Sequence, residues 1–264
     1  MSSENELFEE ENVLAVLTGI GPKVSTKLWP PIHIAPEDRM VVALSQVTFY
    51  NSFPNIQEMK NNEIEITPGK GKTPIMIRLP TGAYEISEMN TEITHQLTSK
   101  GVKNADKNFV LAPNLATLKS MITLREDFSV NFNTSYTMAD VLGFSKMNKL
   151  IGNRRFESDH IVNINQITSL LVFCNCVRPS YVQGKLKSIL SNLILSCEPG
   201  VKYFDRPQHL TYLPVLNNVL SEITCWVLDQ DLHEVQFRGE TLEIELKIKI
   251  RRYKGEDRNF KVTR

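Results

Sequence analysis

The run from Thr241 to Arg251 constrains the fold of this chain more than any other stretch. Leu242, Ile244, Leu246, Ile248 and Ile250 occupy alternate positions, and Thr241, Glu243, Glu245, Lys247, Lys249 and Arg251 fill those between. Successive residues of a strand point to opposite faces, so this pattern is a strand with one buried and one wet face. An antiparallel sheet of this kind has to bury its apolar face against a second layer.

The same period-two reading predicts further strands over 24–29, 40–50, 63–67, 74–79, 109–112, 117–124, 128–132, 161–165, 167–177, 186–197, 209–213, 220–228 and 234–237. Turn signals separate most of them, among them Thr67-Pro68-Gly69 and Glu198-Pro199-Gly200. Many short strands without alternating helices predict an all-β fold, a single jelly roll of two packed antiparallel sheets. One or two short helices interrupt it. Over 85–100, Ile86, Met89, Ile93 and Leu97 form one apolar stripe, with Glu85 or Ser87 to start the helix and Gly101 to end it. A shorter helix is capped by Thr137, with Asp140 three residues on, and closes at Leu142-Gly143-Phe144. The longer helix is expected to lie across an end or edge of the sandwich.

At 264 residues the chain can bury a core without disulfides or metal, but two complete jelly rolls would strain that length. The expected organisation is an N-terminal arm over 1–22, one jelly-roll domain over 23–250 and a basic C-terminal tail over 251–264. The arm opens with Glu4, Glu6, Glu9, Glu10 and Glu11, whereas Arg251, Arg252, Lys254, Arg258, Lys261 and Arg264 dominate the tail. Such asymmetry suggests ends that reach beyond their own domain. Removing residues 1–22 is then expected to spare the fold. Over the whole chain 30 basic residues balance 30 acidic ones, which argues against specific nucleic-acid readout. The acidic start does not read as a signal peptide, and no apolar run is long enough for a membrane span. Cys174, Cys176, Cys197 and Cys225 read as buried free thiols of a protein made in a reducing compartment.

No chemistry stands out. Lys70-Gly71-Lys72-Thr73 resembles the end of a phosphate-binding loop, but Ile66 stands where the motif needs glycine, and Pro74 follows. The cysteines lack the paired turns of a zinc site. His33, His95, His160, His209 and His233 are scattered, and Asp159-His160 would face opposite ways on a strand. The aromatics, Trp29 and Trp226 included, are expected to pack in the core. We therefore expect no catalytic, cofactor or metal residues, and no enzyme.

Ordered short motifs punctuate the chain. They are Leu28-Trp29-Pro30-Pro31-Ile32, then 49–56 (Phe49 to Ile56), then Leu79-Pro80-Thr81-Gly82-Ala83-Tyr84 leading into the helix, then Leu142-Gly143-Phe144 and the segment 160–165. They continue with Pro179-Ser180-Tyr181 and Gly184, Pro199-Gly200, Tyr212-Leu213-Pro214-Val215, Asp229-Gln230 and Phe237-Arg238-Gly239-Glu240. Over roughly 24–250 this series resembles jelly-roll capsid proteins of Polinton/Maverick-type elements and adintovirus-like animal viruses. Phe53, Ala83 and Pro179 depart from that family's usual residues. The resemblance implies a structural protein of an icosahedral double-stranded DNA virus or virus-like transposon. Its length favours the single-jelly-roll penton, a minor capsid protein at the vertex, over the trimeric major capsid protein. The implied partners are itself, as a homopentamer, and the major capsid protein of the same particle. The implied place is the virion, with synthesis in the host cytoplasm and assembly in the nucleus. The alternative from another class is a lectin-like jelly-roll binding module.

Overall fold

The computed structural model describes residues 8–254, which form two compact units, 8–52 with 167–254 and 53–166. The acidic start before residue 8 and the basic end after residue 254 lie outside the described residues. In chain order the first unit supplies β1 (Phe8–Ile20), β2 (Lys23–His33) and β3 (Arg39–Tyr50). The second supplies β4 (Glu63–Pro68), β5 (Ile75–Arg78), α1 (Ile86–Ser99), α2 (Ala105–Asn108), β6 (Phe109–Asn114), β7 (Lys119–Leu124), β8 (Phe128–Asn131), α3 (Ala139–Leu142), β9 (Lys149–Ile151) and β10 (Arg155–Glu157). The chain then returns to the first unit with β11 (Ser169–Cys174), β12 (Ser180–Val182), β13 (Lys185–Lys187), β14 (Ile189–Ile194), β15 (Lys202–Asp205), β16 (Leu213–Pro214), β17 (Val219–Asp229) and β18 (Thr241–Tyr253).

The fold is the expected all-β jelly roll with short helices. In the first unit one sheet runs β1-β18-β3-β15, with β16 also paired to β3, and the other runs β14-β11-β17-β2. Every pairing in both sheets is antiparallel. The alternation of β18 holds along its length: Leu242, Ile244, Leu246, Ile248 and Ile250 are buried, and the last four pair with Val47, Leu44, Val42 and Met40 of β3, across a register shift between Glu245 and Leu246. The facing sheet buries Leu170, Val172 and Cys174 of β11 and Ile223, Cys225 and Val227 of β17. These inner faces are the core of the unit.

Residues 8–20, read from sequence as arm, are the edge strand β1, paired with β18 from Phe8↔Tyr253 to Ile20↔Thr241. Two forces place them there. Ala15 and Leu17 are buried beside Leu246 and Ile244, which extends the apolar face by one strand. The acidic start of β1 also meets the basic end of β18: Glu10 accepts from Arg251 at 2.8 Å and Glu11 from Arg252 at 3.0 Å.

Residues 53–166 were expected within one continuous domain and instead bury a core of their own. Helix α1 packs its stripe (Ile86, Met89, Ile93, Leu97) into it, together with Ile64, Ile77, Leu111, Ile122 and Phe132. Glu88 accepts the Glu85 N–H at 2.9 Å to start the helix, and Gly101, at φ +83°, ends it. Its sheets run β5-β4-β8-β9 and β10-β7-β6.

Candidate assembly surface

Several of the sequence motifs dock on one another. In the second unit Asn55 donates to the Tyr84 carbonyl at 2.8 Å and accepts the Tyr84 N–H at 2.9 Å, while Ile56 and Gly82 bridge beside it. Tyr84 Oη donates to the Pro80 carbonyl at 3.0 Å. Leu142-Gly143-Phe144 meets the 160–165 segment, with His160 N–H donating to Gly143 O at 2.8 Å. Gly143 has φ +78°, and a Cβ there would collide with the His160 carbonyl. In the first unit Asn51 accepts the Gly200 N–H at 2.7 Å, and Ser52 donates to the Phe237 carbonyl at 2.9 Å. Phe237 meets Phe49 edge-on at 5.7 Å between centroids. These motifs hold turns and strand ends in place.

Other motif residues face solvent. Trp29, expected in the core, is 93% exposed. The pairing of β17 with β2 shifts between Leu220 and Glu222, so Ile32 and Lys27 have register partners while Trp29 does not. Trp29-Pro30-Pro31 thus sits on an edge strand beside a bulge, a place where pairing is locally interrupted. Tyr181 (76% exposed) faces Leu186 (62%) across the β12–β13 hairpin. Its turn residues Gln183 and Gly184 both have positive φ, +48° and +75°, as a tight two-residue hairpin turn requires. On the outer side of β1, Leu14 and Val16 are exposed opposite Lys247 and Glu245. Exposed aromatics at a sheet edge and on a hairpin are suited to anchoring a protein partner.

Among the described residues, two carboxyl groups are shifted by local hydrogen bonds. Asp159 accepts the Ser145 N–H at 3.0 Å and the Asn148 amide at 2.7 Å, which hold its carboxyl below the ordinary carboxylate range. Glu157 is lowered by the Thr117 hydroxyl and the Asn114 amide, both at 2.8 Å. Lys70-Gly71-Lys72 lies in the turn between β4 and β5, with no helix after it. Sequence reasoning missed one group, whose signal was the Asp-x-Asp-x-His spacing: the donor atoms of Asp229, Asp231 and His233 lie within 4.8 Å of one another. Asp229 Oδ1 there accepts the N–H groups of Asp231 and His233, a turn-forming role.

Cys174, Cys176 and Cys225 are buried, whereas Cys197 is partly exposed, a departure from the expectation of four buried thiols. The Cys174 and Cys176 sulfurs are 3.2 Å apart, and Cys174 lies directly opposite Cys225. Thiol donation from Cys176 and Cys225 pulls Cys174 below the usual thiol range and leaves both donors above it. A groove of about 470 Å³ opens in the same unit, lined by Asn175, which separates Cys174 from Cys176, and by Lys23, Thr224, Trp226 and Glu234 among others. Among the described residues no helix is long and apolar enough to cross a membrane.

No family model and no curated protein matches the sequence. Among solved structures the chain is similar to a mavirus penton protein, at TM-score 0.50 and 12% identity, over 90% of this chain and 99% of that one. That likeness is one of fold. A match to the flagellar cap protein FliD (domains D1–D2–D3) of Escherichia coli has TM-score 0.17 and 11% identity, over 88% of this chain and 57% of that one, and carries no argument.

Proposed function

We propose that this protein is a structural capsid protein, the penton that fills the vertices of an icosahedral double-stranded DNA virus or virus-like transposon of the Polinton/Maverick or adintovirus kind. The observation that carries the reading is the extent of the likeness to the mavirus penton protein, which takes in 99% of that chain and 90% of this one. The ordered motifs support it independently, and so do the exposed Trp29 and Tyr181. Its partners are four further copies of itself and the major capsid protein of the same particle, and its place is the virion, assembled in the nucleus.

A vertex imposes a closed ring, so one surface of each subunit meets a different surface of the next. Such a contact buries about 1,200 Å² or more around an apolar centre. Native mass spectrometry of the purified chain is expected to give a pentamer, and electron microscopy is expected to place it at particle vertices. A trimer on the capsid faces would move the reading to the major capsid role. A stable monomer found in no particle would defeat it.

A further inference from the structure

We infer that Cys174 and Cys176 are an oxidative modification site, closing a disulfide with each other when the folded protein meets a hydroperoxide. The thiols sit at the end of β11, where the chain turns through Asn175, and their sulfurs are already 3.2 Å apart. The turn is held from several sides. Asn175 N–H donates to the Thr224 carbonyl at 3.0 Å, its Oδ1 accepts the Thr224 N–H at 2.9 Å, and Val177 N–H donates to the Cys174 carbonyl at 3.4 Å. The two sulfurs therefore meet without rearrangement of the neighbouring strands.

The chemistry divides between the two sulfurs by access. Cys176 keeps 5% exposure while Cys174 and Cys225 keep none, so the oxidant reaches Cys176 first. The proton shared between the two sulfurs passes to Cys174, and Cys176 attacks the peroxide as thiolate. The O–O bond breaks, one oxygen stays on sulfur as a sulfenic acid, and the other leaves as hydroxide that is protonated to water, or as an alcohol from an organic hydroperoxide. Cys174, as thiolate, attacks the Cys176 sulfur. The S–S bond forms, the S–O bond breaks, and the hydroxide departs as water with the proton that Cys174 gave up. Two thiols lose two electrons and one hydroperoxide gains them. Cys225 lies opposite Cys174 as a non-hydrogen-bonded pair, since the Asn175 N–H bonds the Thr224 carbonyl on the next rung. Its fully buried sulfur competes for Cys174 but has no oxidant at hand.

The test treats the folded full chain with hydrogen peroxide, unfolds it in an alkylating reagent and maps the thiols by mass spectrometry. Two of the four thiols should escape alkylation, and the tryptic peptide 156–185, which holds both Cys174 and Cys176 because the Arg178–Pro179 bond resists trypsin, should be two hydrogens lighter until dithiothreitol restores it. Cys174→Ser should form no bond within that peptide and should leave Cys176 as a sulfenic acid that dimedone captures, and Cys197→Ser should oxidise as the wild type does. Four alkylable thiols in the treated wild type would overturn the assignment. So would a bond joining peptide 156–185 to the peptide that carries Cys225. Both of these readings come from the wild type and do not depend on any variant folding.

Discussion

At the scale of single residues, the two faces of β18 make opposite demands. Leu246 is fully buried between β1 and β3, so Leu246→Ala should cost about 2–5 kcal/mol, through lost burial and the cavity left behind. Its neighbour Glu245 points outward and accepts the Ser45 hydroxyl at 2.8 Å, so Glu245→Ala should cost about 1 kcal/mol or less. Urea midpoints of the two variants measure the difference, and equal losses would contradict the register. Gly143→Ala meets both a positive φ and the His160 carbonyl, and should cost about 2 kcal/mol or more by the same measurement. Asp159 bears on pH. Its folded pKa lies below the ordinary value of 3.8, so the stability it adds is present above that value and is lost as pH falls through the lowered one. The gap in urea midpoint between wild type and Asp159→Asn should therefore be fully open at neutral pH and narrow in acid below pH about 4.

Elements were legible in the sequence where a single segment carried its own signal. The stripe of α1 and the alternation of β18 each specify their element within a dozen residues, and the structure bounds them at Ile86–Ser99 and Thr241–Tyr253. Strand β1 was not legible, because Glu9, Glu10 and Glu11 look like a solvated tail until Arg251 and Arg252 are set beside them by pairing across most of the chain. The expectation that residues 1–22 could be removed without harm to the fold has to be set against the pairing of residues 8–20 with β18. That deletion uncovers Leu246 and Ile244 along one side, and the truncated chain should show a lower thermal midpoint by calorimetry. Segment 161–165 erred the other way. Val162 and Ile164 pack inward as their alternation predicts, yet the backbone forms no ladder: Val162 N–H goes to Leu118 and Asn163 N–H to Val141. Side-chain periodicity reports burial, and only the partner decides whether a strand forms. The candidate surface was legible as motifs but not as exposure. The partial burial of Tyr84 and the openness of Trp29 depend on docking partners and a bulge that no local pattern encodes.

For the whole molecule, the paired ends limit what salt can do. The contacts of Glu10 and Glu11 with β18 are between side chains 37–49% exposed, worth about 0–1 kcal/mol each and screened by added salt. Arg252 also reaches Asp38 at 3.7 Å, whose side chain is fully buried and also accepts the Ala35 and Tyr253 N–H groups, so that anchor should be less sensitive to salt. Since these charges are engaged within one chain, the proposed assembly should rest more on exposed apolar anchors than on attraction between the two ends. Trp29→Ala combined with Tyr181→Ala should leave the thermal midpoint close to wild type while shifting native mass spectra toward the monomer. The antiparallel register of β1 and β18 has one more consequence, for the order in which the chain can be written. Phe8 and Tyr253 are partners, with Cα atoms about 4.5–5.5 Å apart as in any antiparallel pair. A short linker could join them and new ends could be cut at the Gln183-Gly184 turn, giving a circularly permuted chain that retains both sheets.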